Sequence, residues 1–210
     1  LHLADGQKLR ADILILATPA SITAQMFTDE KIKKPLQAVR YVSVANVVLA
    51  FEEKGSNIKL DGSGFLVPRG ENFSVTAATW TSVKWPHTAP PGKILIRTYL
   101  GRENGEDLLH LEDQELVQLV RKEMKQIIGL DQEPLFYHVN RWPKSMPQYQ
   151  IGHVERLQTV QEHLASAYPG LFLCGAGYRG IGIPDCIAQG KAAALEAFTF
   201  LINNKKPVRA

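Results

Sequence analysis

Between Leu171 and Phe200 the chain reads LFLCGAGYRGIGIPDCIAQGKAAALEAFTF, and this stretch holds the residue types best suited to chemistry. Four apolar residues, Leu171 to Cys174, precede Gly175, Gly177, Gly180 and Gly182. Pro184 and Asp185 then open an alanine-rich amphipathic segment. Strand, glycine turn and helix in that order aim backbone N–H groups and the positive end of a helix dipole at an anion. Gly175-Ala176-Gly177-Tyr178-Arg179-Gly180 also satisfies the dinucleotide pattern G-x-G-x-x-G. That pattern, however, opens a βαβ unit whose second strand carries an acidic residue about 20 positions on. Here the helix is expected to reach about Leu201, followed by Asn203-Asn204-Lys205-Lys206-Pro207, and Ile181-Gly182-Ile183-Pro184 intervenes before it begins. The match is read as accidental. The turn is expected to lie against part of a cofactor assembled mostly from elsewhere.

Other catalytic constellations are scarce. There is no G-x-S-x-G elbow, no H-E-x-x-H and no phosphate loop ending in Gly-Lys-Ser/Thr. The histidines at 2, 87, 110, 138, 153 and 163 do not pair at ligand spacing, so no metal site and no catalytic side chain is assigned. His153, in Gly152-His153-Val154-Glu155-Arg156, is read first as a contact at a helix N-terminus. A ligand-like turn without an acid–base set implies that a cofactor carries the reaction.

The composition, 45% hydrophobic and 21% charged with a net charge of +3, is ordinary for a globular protein. Basic residues are dispersed, which argues against a nucleic-acid partner. No apolar run approaches the roughly 18 residues of a membrane span. Cys174 and Cys186 flank the glycine turn and are expected to be reduced, as in a cytoplasmic protein. The chain begins Leu1-His2-Leu3 inside an apparent strand, which reads as a piece of something longer.

The elements that must position the turn follow from periodicity. Leu1–Leu3, a turn at Asp5-Gly6 and Leu9–Leu16 read as a hairpin, with Ile13–Ala17 apolar on both faces and expected to be fully covered. Thr18 is the expected N-cap, with Pro19 at N1, of a helix reaching Phe27. Tyr41–Phe51, Gly64–Pro68, Val75–Trp80 and Lys93–Leu100 read as a mostly antiparallel meander, with Phe73, Trp80 and Trp85 as packing bulk. Asp107–Ile128 reads as an amphipathic helix with Lys122, Glu123 and Lys125 on its polar face and Gly129 just past its end. Pro134–Arg141 reads as a strand and Trp142–His153 as an irregular pocket wall. A helix over Val154–Tyr168 then returns the chain to Leu171.

Two blocks carry a family resemblance. Gly180-Ile181-Gly182-Ile183-Pro184-Asp185-Cys186-Ile187 with Gln189-Gly190-Lys191-Ala192-Ala193, and Arg141-Trp142-Pro143-Lys144-Ser145-Met146-Pro147-Gln148-Tyr149 with Gly152-His153 and Arg156, resemble the FAD-dependent protoporphyrinogen/coproporphyrinogen oxidases of haem biosynthesis. The likeness is to bacterial, Firmicute-like members. Ala11-Asp12 to Ala17-Thr18-Pro19-Ala20 is similar to a segment of the wider amine-oxidase flavoproteins.

The resemblance implies an α/β (α+β) chain forming the C-terminal part of a flavoprotein fold, with the N-terminal Rossmann unit absent. Residues 1–27 and 171–205 would belong to a discontinuous FAD-binding domain. Residues 28–170 would form an antiparallel or mixed-sheet porphyrinogen-binding domain. By resemblance, Trp142 lines the flavin, Gly180, Ile181 and Gly182 present backbone to the isoalloxazine end, and Ile183 is adjacent. The helix from about Pro184 would set its dipole near the flavin pyrimidine oxygens. The implied reaction is dehydrogenation of a tetrapyrrole with hydride passing to flavin N5 and electrons then to oxygen. The 210 residues alone would be inactive and hold FAD weakly, and any membrane contact would be peripheral. Cys174 and Gly177-Tyr178-Arg179 depart from the small or acidic residues expected there. The competing readings are another flavoprotein of the superfamily, such as a carotenoid desaturase or an amine oxidase, and a stand-alone module binding a hydrophobic small molecule.

Overall fold

A computed structural model describes residues 1–56, 58–101 and 106–204; the expected tail at 205–207 lies outside them. In chain order the elements begin with β1 (Leu14–Leu16), α1 (Ala20–Gln25), α2 (Glu30–Gln37) and β2 (Arg40–Glu52). Next come β3 (Gly64–Leu66), β4 (Val75–Trp80), α3 (Thr81–Lys84) and β5 (Lys93–Leu100). Then follow α4 (Asp113–Ile128), β6 (Phe136–Gln148), α5 (His153–Ala167), β7 (Leu171–Leu173) and α6 (Ile183–Asn204). The chain divides into two compact units: Leu1–Arg40 with the residues from Pro147 onward, and Tyr41–Met146.

In the first unit β1 lies parallel to β7, pairing Leu14 with Leu171 and Leu16 with Leu173. The expected long second hairpin strand shrinks to these three residues. Its N-terminal partner is reduced to a bridge between His2 and Lys8. Ile15 remains 39% exposed, so the strand is not covered on both faces. The cap of α1 also differs. Pro19 takes the N-cap position without a side-chain bond, because the Thr18 hydroxyl pairs instead with Thr23 Oγ1 at 2.7 Å. α2 is capped by Asp29, whose Oδ1 accepts the Lys31 amide at 2.9 Å. It packs on α5, which buries His153, Leu157, Val160 and Leu164 at helical spacing.

The second unit is a five-stranded sheet in the order β3-β4-β5-β2-β6, antiparallel where the register is defined. β5 alternates cleanly, burying Ile94, Ile96, Thr98 and Leu100. The apolar members of that face join Val47, Leu49 and Phe51 of β2 and Leu116, Val120 and Met124 of α4 in one core. Each such aliphatic or aromatic side chain contributes about 1.5–3 kcal/mol by leaving water. The core explains one misplacement. Glu123, assigned to the polar face, is buried, and its carboxylate accepts the Ser74 amide at 2.9 Å and the Val75 amide at 2.7 Å. A buried carboxylate is tolerated because both oxygens receive donors.

Two boundaries move as well. A 3₁₀ turn (Glu106–His110) precedes α4, which starts at Asp113 through a capping box of Glu112 and Glu115. β6 continues through Trp142–Gln148, so the expected irregular wall is a strand up to Gln148. β6 is the last strand in the sheet order, and at an edge the missing N–H groups of Pro143 and Pro147 can point away from the ladder.

Candidate functional site

The turn from Gly175 to Gly182 is built as a scaffold of side chain to backbone bonds within the first unit. β7 ends as the Cys174 amide donates to the Leu16 carbonyl at 3.1 Å, and Gly175 then takes φ +117°. Tyr178 folds inward to 2% exposure. Its hydroxyl donates to the Thr18 carbonyl at 3.0 Å and lies 2.7 Å from Thr23 Oγ1. The tyrosine that departed from family expectation thus anchors the turn to the start of α1. Gln189, one turn and more into α6, reaches back to it. Its Oε1 accepts the amides of Gly175 at 3.3 Å and Arg179 at 3.2 Å, and its Nε2 donates to the Gly180 carbonyl at 3.4 Å.

Gly180 has φ +136°, and a Cβ there would stand 2.6 Å from Cβ of Asp185. A Cβ on Gly182 would stand 2.8 Å from Asp185 Oδ2. Gly180 is therefore required by its left-handed φ and by the approach of Asp185 Cβ, whereas at Gly182 a rotation of the Asp185 side chain would make room. The α6 ladder begins where the Cys186 amide donates to the Gly182 carbonyl at 2.9 Å. The amides before it lie outside the helix ladder, beside the positive end of a 22-residue helix. Next to them Ile181, Ile183 and Ile187 are exposed at 40%, 76% and 54%. An apolar ledge beside backbone donors suits a planar group with one apolar face and one polar edge, which is the chemistry of a flavin ring.

Of the sequence-assigned residues, Gly180, Ile181, Gly182 and Ile183 form this continuous edge. Trp142 lies in β6 of the other unit, its side chain half-exposed, with its carbonyl accepting the Ser145 hydroxyl at 3.0 Å. The neighbouring Arg141 is structural. Its Nε donates to the Leu109 carbonyl at 3.0 Å, its Nη2 to the Leu111 carbonyl at 2.6 Å, and Nη1 pairs with Asp113.

The expected cap contact of His153 is not made: Gly152 is the N-cap of α5, with no side-chain bond, and the imidazole turns to the glycine turn instead. The residue is 4% exposed, and its Nε2 donates to the Tyr178 carbonyl at 2.8 Å; because a carbonyl only accepts, Nε2 carries the proton. Tyr149 stacks on the His153 ring at 4.1 Å and 12°. Its phenol lies above the usual range, first because of burial; the Gly180 amide opposes this, while Cys186 and Asp185 add to it. Both cysteines are free. Burial, then the nearby Cys186, pushes the Cys174 thiol up, which keeps it protonated. Tyr149 and Gln189 stand inside the motif blocks, but nothing in their spacing announces that they hold the turn.

The family model of flavin-containing amine oxidoreductases matches residues 1–197. The chain belongs to that family. The porphyrinogen oxidase resemblance has a counterpart in named relatives. The chain is 41% identical over 203 residues to a coproporphyrinogen III oxidase of Bacillus subtilis, covering 97% of the chain and 43% of that protein. It is 33% identical over 198 residues to human protoporphyrinogen oxidase, covering 89% of the chain and 40% of the relative. A solved structure from Exiguobacterium sp. 255-15 superposes with a TM-score of 0.79 at 32% identity, covering 91% of the chain and 42% of the other. The chain spans about two fifths of the length of the curated relatives it matches.

Proposed function

We propose that this chain serves an FAD-dependent oxidation of a porphyrinogen to the porphyrin in haem biosynthesis, with coproporphyrinogen III as the favoured substrate. The observation that carries the reading is the similarity to the Bacillus enzyme along 203 residues, a span that includes the ledge at Ile181–Ile183. FAD, when bound, supplies the hydride acceptor. Ile181 and Ile183 would offer apolar contact to its ring. The backbone of Gly180–Gly182 and the start of α6 would face its polar edge, where the helix dipole favours negative charge. Trp142 would add an aromatic face. Residues 1–27 and 171–205 would serve the flavin, and residues 28–170 the macrocycle. Each two-electron oxidation of the macrocycle would give up one hydride to the acceptor and one proton to solvent, and no acid–base side chain is assigned at this edge. Oxygen is the proposed acceptor. No helix of the described residues is long and apolar enough to cross a membrane; a peripheral contact is the proposed extent of any membrane association.

The test is an aerobic assay of the intact protein carrying these residues, with coproporphyrinogen III and protoporphyrinogen IX supplied in parallel and porphyrin fluorescence as readout. Faster turnover of coproporphyrinogen by a yellow protein supports the reading. A flavin-bearing protein that turns over neither overturns it. The 210 residues by themselves are expected to hold FAD weakly, which equilibrium dialysis checks.

A further inference from the structure

The Tyr149 hydroxyl is the meeting point of two backbone bonds within the glycine turn. It donates to the Ala176 carbonyl at 2.6 Å and accepts the Gly180 amide at 2.8 Å. The directions are forced, since a carbonyl can only accept and an amide can only donate. One oxygen therefore ties together two points of the turn four residues apart. The ring that carries it lies flat on His153, which holds the carbonyl of Tyr178 between them. Gln189 Nε2 donates to the Gly180 carbonyl at 3.4 Å. Gly180 thus has its amide fixed by one element and its carbonyl by another, so the two peptide planes that flank it, the second leading into Ile181, have little freedom to rotate. Tyr149 departs from what a loop tyrosine needs for packing alone: the residue is 39% exposed while its oxygen is fully engaged.

We propose that Tyr149, braced by His153, is a positioning residue that sets the orientation of the Gly180–Ile183 edge toward the ring of the cofactor. The inference rests on the flavin reading above and adds to it a named group that holds the edge. It acts through Gly180 and not by direct contact, so its removal should change the cofactor's environment more than the fold.

Tyr149→Phe keeps the stack and deletes the bridge. In the 210-residue chain, amide exchange followed by NMR should accelerate about tenfold at Gly180, while amides in α5 and β7 keep their rates. A second variant guards against misfolding. 3-Fluorotyrosine at 149 keeps size and shape but makes the hydroxyl a better donor and a poorer acceptor, so Gly180 exchange should again rise. In the intact flavin-loaded protein, Tyr149→Phe should shift the visible flavin bands and lower kcat with little change in KM. Unchanged Gly180 exchange in both variants overturns the clamp. Faster exchange with wild-type flavin bands and wild-type kcat overturns the positioning role, even though the flavin reading stands. A wild-type intact protein that carries no flavin overturns the reading itself, and this proposal with it.

Discussion

Gly180→Ala is the substitution on which the geometry of the turn makes its most definite claim. The added Cβ would lie 2.6 Å from Asp185 Cβ, 2.8 Å from its Cγ and 2.9 Å from its Oδ2. Rotating the Asp185 side chain moves the last two atoms away but leaves Cβ, which is fixed to the α6 backbone. Part of the clash must therefore be absorbed by the chain, at about 1–3 kcal/mol. The φ of +136° adds a backbone cost of about 1–3 kcal/mol for any residue with a side chain. Together the expected loss is about 2–6 kcal/mol, measured by urea unfolding of the 210-residue chain. The two contributions separate in a double-mutant cycle with Asp185→Gly, which removes the opposing Cβ. The double variant should regain the clash share, a coupling of about 1–3 kcal/mol, and retain the backbone share. A cost for Gly180→Ala below about 0.5 kcal/mol, or additive single variants, would refute the steric account.

Gly190 is the contrasting glycine: it sits inside α6, and a Cβ at that position would meet nothing within 4 Å, so Gly190→Ala should raise stability by about 1 kcal/mol in the same measurement. Glu123→Ala should cost about 2–4 kcal/mol, because it strands the amides of Ser74 and Val75 beside the core; a loss near zero in urea titrations would mean that water replaces the carboxylate. Acid stability should depend on Asp29. Its carboxyl is held below the ordinary range, first by His163, whose Nε2 is 2.7 Å away, and then by the Lys31 amide. A depressed carboxylate contributes stability above its unfolded pKa and loses it as pH falls through the folded value. Asp29→Asn should thus flatten the acid limb of a melting-temperature profile below the usual carboxylate range, leaving the neutral region parallel to wild type.

The parts of the fold that local chemistry governs were legible. β4 and β5 have the bounds their β-branched runs imply, and α4 ends at a left-handed Gly129 with φ +73°. What was not legible depends on partners distant in sequence. Trp142–Gln148 looked irregular because two prolines forbid a central strand, and only the sheet order reveals that β6 is an edge. Glu123 looked like surface because its partners, Ser74 and Val75, lie about fifty residues away. At the site the glycine edge was readable as a motif, whereas its supports were not. Tyr149 meets Gly180 across 31 residues, and Tyr178 meets Thr23 across 155. No local periodicity encodes such bonds.

The two outer strands of the five-stranded sheet differ in what they would offer a second chain. β3 is three residues long, too short to template another chain. β6 is thirteen residues long and carries exposed Phe136, Tyr137 and Trp142, a combination that invites intermolecular strand pairing. Pro143 and Pro147 break its row of donors, and Lys144, with φ +44°, twists the backbone between them and adds charge. The same residues that disguised the strand in the sequence interrupt the regular edge that a second chain would need for pairing.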